Sequence, residues 1–278
     1  MSSNIDAMTV NGFGEEWSAY DQSTADHAEL ERIFDEYFER FPWQELPPQA
    51  VGFDLGCGSG RWAKFVANRV GHLHCVDASP AALEVAQRNL AQNSNCEFHC
   101  ASVDQMPILD GTMDFGYSLG VLHHVPDTAA GIRSCVAKLK PGAPFLVYLY
   151  YALDNKPWWF RALWRVSDIA RQMICRLPFG LRNLTTTLIA VGCYWPLSRL
   201  AWLVEQLGLP VESIPLAAYR NRSFYCMQTD ALDRFGTRLE QRFTANQIRQ
   251  MMESAGLERV VFASSGFWSA VGFRKAAS

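Results

Sequence analysis

The chain has 278 residues, of which 49% are hydrophobic and 19% charged, with a formal net charge of −3 and a pI of about 6.1. Such a length buries a large core, as one domain or one domain with an elaboration, and the faintly acidic balance excludes a global basic field that would recruit nucleic acid. The first residues carry no cationic stretch leading into an apolar core, so no signal peptide is expected, and eight cysteines scattered through apolar segments suit reduced thiols in the cytoplasm.

Residues 27–41 place Leu30, Ile33, Phe34, Tyr37, Phe38 and Phe41 at helical spacing, and Pro42 and the Pro47-Pro48 pair then break the chain. A short apolar run at 51–55 reads as a buried strand that carries Asp54 and passes at once into Gly56, Gly58 and Gly60, with a helix over 61–69. A strand, a glycine turn and a helix N-terminus make a nucleotide cradle, because glycine lets the backbone turn sharply and touch a ligand with no Cβ in the way. The dinucleotide fingerprint, G-x-G-x-x-G, fits poorly: the third glycine comes one position early and Arg61 stands in its place.

Residues 72–77 read as a second strand ending in Asp77, followed by Ser79-Pro80 as N-cap and first position of a helix over 80–92. Strands are expected at 96–101, 115–119 and 145–151, with a helix over 127–139. Strands alternating with helices give a parallel sheet covered on both faces, and in such a sheet ligands bind beyond the carboxyl ends of the strands. Asp54, Asp77 and Asp104 all fall at or just past strand ends. Asp77, roughly twenty residues after the glycine turn, stands where a carboxylate accepts both hydroxyls of a ribose. Asp104 suits an adenine amino group, with Val103 and Met106 as apolar neighbours. A metal reading of Cys96, His99 and Cys100 is set aside, since alternation puts His99 on the opposite face and no second Cys/His pair has zinc-site spacing. No metal is expected.

Residues 151–210 are apolar and basic together. They hold five of the nine tryptophans, and seven basic residues (Lys156, Arg161, Arg165, Arg171, Arg176, Arg182, Arg199) against three acidic ones. In an expected helix over 157–177, Arg161, Arg165, Gln172 and Arg176 share one face, and Trp159, Phe160, Leu163, Ala170, Met173 and Ile174 another. Two readings stand: peripheral membrane contact through 157–202, or a helical lid on the sheet with its arginines solvated. The uncharged run 183–198 is shorter than the roughly twenty residues of a membrane span, so no span is expected.

These motifs, in this order over about 50–150, resemble the class I S-adenosylmethionine (SAM) methyltransferases, and within them the small-molecule subgroup that includes ubiquinone and menaquinone biosynthesis methyltransferases. Val51–Gly60 resembles motif I, His74–Ser79 motif II, and Val103–Phe115 the adenine-binding segment with the strand after it. Leu119–Asp127 resembles the segment after strand four, Leu139–Gly142 the turn before strand five, and Arg242–Gly256 the last helix before an antiparallel strand pair. The resemblance implies an α/β fold: a doubly wound, mostly parallel, Rossmann-like sheet of seven strands, with an antiparallel C-terminal strand and a helical lid insertion. Its parts would be an N-terminal helical cap at 1–48, a SAM-binding core at 49–152, a lid and acceptor-site insertion at 153–235, and the closing helix and strands at 236–278.

By the same resemblance the cofactor is S-adenosyl-L-methionine. Gly56, Gly58 and Gly60 would hold its methionine part, Asp54 its ammonium, Asp77 and Ala78 its ribose, Val103 and Asp104 its adenine, with Leu119 near the methionine end. Residues 13–21, with Trp17 and Tyr20, resemble the helix that closes over the cofactor, though both aromatics suit a core equally. The reaction would be methyl transfer to a small, lipophilic or amphiphilic acceptor, at carbon or oxygen, in a cytoplasmic enzyme that is or is not peripheral to the membrane. His124 and His123 are candidate bases for a hydroxyl or acidic carbon, and also suit a role shaping the loop. Tyr219, Arg222, Tyr225, Asp230 and Arg234 lie where the subgroup builds its acceptor site. Nucleic-acid methylation is disfavoured, because Ser118-Leu-Gly-Val stands where amino-methylating enzymes carry Asn/Asp-Pro-Pro-Tyr. A non-catalytic SAM-binding protein and an NAD-dependent oxidoreductase are the alternatives.

Overall fold

The computed structural model describes residues 3–154, 156–211, 213–264 and 269–276. Its chain divides into two units: one built from Met1–Ser23, Leu30–Ala152 and Leu239–Ser278, the other from Thr24–Glu29 and Leu153–Arg238.

The first unit is organised by a seven-stranded sheet. Its strands are β1 (Val51–Leu55), β2 (His72–Asp77), β3 (Cys96–Cys100), β4 (Phe115–Leu119), β5 (Pro144–Tyr148), β6 (Leu257–Phe262) and β7 (Ser269–Arg274). They lie in the order β3-β2-β1-β4-β5-β7-β6. β1 to β5 are parallel, and β7 runs antiparallel to both β5 and β6. The order reverses direction beside β1, between β2 and β4, which is where a doubly wound sheet opens a crevice. β4 and β5 are buried along their whole length, as expected of parallel strands covered on both faces. Phe53, Phe115, Phe145, Leu146 and Val147 fill the centre.

Helices α1 (Ala7–Ala19), α2 (His27–Tyr37), α3 (Ala63–Ala67), α4 (Pro80–Asn89) and α5 (Thr128–Lys138) precede or link the parallel strands. α4 has Ser79 as N-cap with Pro80 at its first turn, and α5 is capped by Asp127, whose side chain accepts from the Ala130 amide. The expected helix 27–41 stops at Tyr37, and the expected strand 145–151 ends at Tyr148. Beyond the helix, Phe38 and Phe41 keep their buried positions by packing on Trp43. Past β5 the backbone turns to Phe243, whose amide donates to the Tyr150 carbonyl.

The second unit is helical: α6 (Trp158–Ile174), α7 (Phe179–Ile189), α8 (Trp195–Gln206) and α9 (Phe224–Gly236). α10 (Ala245–Ser254) returns to the first unit and opens with a capping box of Thr244 and Gln247. A π-helical turn at Ala190–Tyr194 joins α7 to α8 without a break. The uncharged run 183–198 therefore lies inside a helical stretch of 28 residues, Phe179–Gln206, long and apolar enough by length and composition to cross a membrane. The uncharged run is too short to span, but the helix continues past both of its ends and is not. The arginines of this unit are also not uniformly solvated: Arg171 and Arg182 are buried. Arg171 pairs with Asp168 at 2.7 Å and donates to the Thr237 and Arg238 carbonyls.

Candidate functional site

The glycine turn after β1 and the acids at the ends of β1 and β2 meet at the switch point. Gly56, Gly58 and Gly60 all have positive φ, near +75°, +53° and +76°. A Cβ at Gly58 would stand 2.9 Å from Nε1 of Trp17, so this position needs glycine for space as well as for conformation. The Gly58 amide donates to Asp77 Oδ2 at 2.9 Å, and the Ser79 amide to Oδ1 at 2.8 Å. Both oxygens of the carboxylate are thus aimed by backbone groups on either side. Burial still raises the Asp77 pKa above the ordinary carboxylate value, against those two bonds.

Asp54 is buried beside it and accepts a hydrogen bond from the Tyr117 hydroxyl at 2.9 Å. Burial pushes its pKa up to about 8; the Tyr117 bond pulls the other way and is outweighed, and Asp77 adds to the rise. A buried and a half-buried carboxyl on neighbouring strands make a site that gains from a cationic ligand. Asp104 differs, since it sits at the surface. Its partial burial works to raise the pKa, but bonds from the Ser102 hydroxyl (2.7 Å) and the Asn4 amide (3.2 Å) hold it below the usual value. Val103 and Leu119 are buried, and Ala78 follows Asp77 before the α4 cap.

α1 covers this turn. Gly14 packs against Ser79, the Trp17 indole faces Gly58, and Phe13 lies 5.0 Å from the His124 ring. Arg61 spreads over both Trp17 and Trp62. Tyr20, at the end of α1, is buried. Asn4 ties the segment before α1 to Asp127 in both directions, Nδ2 to its carbonyl and its amide to Oδ1.

His123 and His124 form a 3-10 turn, Leu122–His124, just after β4. His124 Nδ1 lies 2.6 Å from the Leu239 carbonyl, which can only accept, so Nδ1 carries the proton and Nε2 is the basic nitrogen. His123 is fully buried, stacked on Tyr150 at 3.9 Å and against His124 at 4.0 Å. Burial, then His124 and Arg242, hold it neutral well below the usual histidine pKa.

The five acceptor-site residues predicted from sequence all lie in the second unit. Burial, and then the Asp230 carboxylate to which its hydroxyl bonds, raise the Tyr219 pKa well above that of a free phenol. Tyr219 also packs 5.1 Å from the Tyr194 ring. Arg234 stands 3.7 Å from Asp168 and over the Trp164 and Phe235 rings, which ties α9 to α6. The Arg222 carbonyl accepts from Arg199, and Tyr225 lies in the first turn of α9. Three residues with clear work were not predicted: Tyr117, Asn4 and Tyr150. Tyr117 is the direct cross-strand partner of Asp54, so strand register, and not spacing along the chain, was the signal that could find it.

A bound S-adenosylmethionine fits this cleft by two observations: the paired amides that orient Asp77, and the buried Ser59 hydroxyl, which has no partner among the described residues. Residues 53–142 match the family described as "Methyltransferase domain". The ubiquinone biosynthesis O-methyltransferase of Xanthomonas axonopodis pv. citri (strain 306) is 26% identical over 190 residues, covering 66% of this chain and 74% of that protein. Among solved structures, an O-methyltransferase family protein from Burkholderia thailandensis superposes with a TM-score of 0.53 at 14% identity, over 97% of this chain and 60% of the other. The S-adenosylmethionine-dependent methyltransferase SibL gives the same TM-score and identity over 90% and 57%. At such identities the structural likeness concerns the fold.

Proposed function

Taking as premise that this chain is a class I S-adenosylmethionine-dependent methyltransferase, we propose that it methylates a hydroxyl of a small lipophilic acceptor taken from a membrane surface. One observation carries the lipophilic reading. Of the large hydrophobic side chains exposed among the described residues, most belong to the helical unit, and they fall into stripes. Trp159, Leu163, Val166, Ile169 and Met173 run along α6; Leu181, Leu184, Leu188, Val191, Trp195 and Trp202 run along α7 and α8. Apolar stripes of this size on a surface mark a binding face. Preference for oxygen over carbon draws support from the relative of Xanthomonas, whose name states O-methylation. A cytoplasmic location peripheral to the membrane goes with this reading, all eight cysteines being free thiols.

When bound, S-adenosylmethionine supplies a methyl group on a sulfonium with a neutral thioether as leaving group. The chain's own contribution is then positioning and exclusion of water. Asp77 takes the ribose hydroxyls on a carboxylate already oriented by Gly58 and Ser79; Asp104 and Val103 take the adenine; Asp54 takes the ammonium. His124 accepts the acceptor's proton at Nε2, its tautomer fixed by Leu239. His123, neutral and stacked on Tyr150, keeps the adjoining wall dry. Tyr219, Asp230 and Arg234 hold α9 within the helical unit.

The test offers the purified protein labelled S-adenosylmethionine and hydroxylated aromatic acceptors, each with and without an isoprenoid tail, in liposomes. Label is expected on the oxygen of the tailed acceptor, with His124→Ala slower by about a hundredfold or more. Equal rates on the tailless compound would remove the lipophilic reading, and a near-normal His124→Ala rate would remove the base.

A further inference from the structure

Away from the cofactor cleft, three of the six histidines meet on one face of the sheet edge. β3 is the edge strand and runs parallel to β2, with His74 opposite Glu97 and Val76 opposite His99. Alternation along each strand therefore sends His72, His74, Glu97 and His99 to the same side. Their side-chain atoms converge. His72 Nε2 stands 3.2 Å from Glu97 Oε2 and His74 Nδ1 stands 3.4 Å from the same oxygen. His99 Nε2 lies 3.6 Å from Glu97 Oε1 and 3.0 Å from His74 Nδ1. One donor each from His72, His74 and Glu97 falls within 4.8 Å of the others.

These separations are those of a coordination sphere. With donors at about 2.0–2.1 Å from a tetrahedral zinc ion, neighbouring donors stand about 3.3 Å apart. Two imidazoles and one carboxylate, with a third imidazole beside them, also suit a borderline transition metal, and suit magnesium or calcium poorly, since those take oxygen. We propose that His72, His74 and Glu97 bind one divalent transition-metal ion of the zinc class, with the His99 imidazole held against His74 beside them.

The ion would cross-link β2 to the edge strand β3. His74 precedes Asp77 by three residues, about 10 Å along the strand, so the metal stands outside the reacting centre and takes no part in methyl transfer. Its work is to pin the strand that ends in the ribose-binding acid and to close an otherwise open edge. The proposal is independent of the acceptor reading above, and its test uses no acceptor.

The full chain, stripped with chelator and kept reduced by a phosphine, is titrated with zinc chloride and with cobalt chloride. The expected result is one equivalent bound at micromolar concentration or tighter, with a melting temperature higher by about 5 °C at hundredfold excess over Kd. His72→Ala and Glu97→Gln change partly exposed side chains (36% and 53% exposed), and each should weaken binding at least tenfold while the metal-free melting temperature and the affinity for S-adenosylmethionine stay unchanged. Cobalt should show no intense thiolate-to-metal band. Such a band would overturn the proposal by placing the ion on Cys57, Cys75 and Cys96, which hydrogen-bond in series from the glycine turn across β2 to β3. Absence of saturable binding, or wild-type binding by both variants, would overturn it as well; either result would mean that Glu97 only forms ion pairs with its histidines.

Discussion

Asp54 holds a proton at neutral pH in the cofactor-free fold, because burial outweighs the Tyr117 bond and carries its pKa to about 8. Its folded pKa stands above the value of a free carboxyl, so between about pH 4 and pH 8 the native state binds a proton that the unfolded chain has lost. Stability of the cofactor-free protein therefore falls as pH rises through that window and levels off above it. An ammonium facing Asp54 requires the ionised form, so binding of S-adenosylmethionine should expel the proton. Affinity is expected to rise with pH below about 8, by up to tenfold per unit, until the ligand's own amino group loses its proton and the rise reverses. Calorimetry in buffers of different ionisation enthalpy measures both the slope and the proton released. Asp54→Asn should abolish the slope, and Tyr117→Phe should move the break upward by removing a bond that favours the carboxylate. A pH-independent affinity in the unaltered protein would take Asp54 off the ammonium. The strand-end acids stood out in the sequence by their succession, since a single carboxyl after a buried run is as readily a turn or cap residue. Tyr117 did not, since its phenol reads as one more core aromatic until the register Asp54↔Tyr117 is known. The histidine–glutamate cluster stayed hidden for the same reason: its members are paired across strands and share no motif along the chain.

At the level of elements, α1 owes its seat to Gly14. A Cβ there would fall 2.6 Å from the Ser79 hydroxyl oxygen, the same oxygen that caps α4 by accepting from the Ala82 amide. Gly14→Ala gains about 1 kcal/mol of helix propensity but must turn that hydroxyl off its cap, which costs about 1 kcal/mol. The net change in the unaltered protein should be near zero. In a Ser79→Ala background the obstacle and the cap are both gone, so the same substitution should stabilise by about 1 kcal/mol. Urea denaturation of the four proteins gives the coupling, and additivity would show that α1 does not bear on the cap. Strands β1, β2 and β4 were legible to the residue, being short apolar runs bounded by glycine, acid or proline, and buried parallel strands leave that pattern. Helix ends were less so. Phe38 and Phe41 continue the apolar spacing of α2 past Tyr37: Phe38 stacks one turn back on Phe34, and both pack on the Trp43 ring. The 28-residue helix was hidden by Pro196, which reads as a break; it sits in the first turn of α8, directly after the π-helical turn, where its missing amide costs the ladder little.

On the scale of the whole molecule, the two units use apolar side chains in opposite ways: the sheet unit buries its large ones, and the helical unit leaves many of its own in the open. Length alone would let Phe179–Gln206 span a membrane, but the faces of this helix differ. Arg182, Thr186, Ala190, Tyr194, Ser198 and Ala201 form a buried stripe at helical spacing, with Ala190 and Tyr194 packed among Met227, Ala231 and Phe235 of α9. The exposed apolar stripe lies opposite. A spanning helix is apolar all round, whereas a helix with one apolar and one protein-facing side lies in the interface. Six exposed side chains, each gaining even a third of the roughly 2 kcal/mol of full transfer, give about 4 kcal/mol of membrane affinity. The exposed Arg161, Arg165 and Arg176 of the same unit add attraction to anionic headgroups that salt screens. The protein is therefore expected to float with anionic liposomes at low salt, to bind neutral ones more weakly, and to be released by alkaline carbonate. Leu184→Asp combined with Val191→Asp, both at exposed positions, should lower liposome binding at least tenfold and leave the affinity for S-adenosylmethionine as it was. Resistance to carbonate would instead mean that the helix crosses the bilayer. Failure to float at any salt concentration would mean that the stripe meets some other surface, and the lipophilic acceptor would lose its main support.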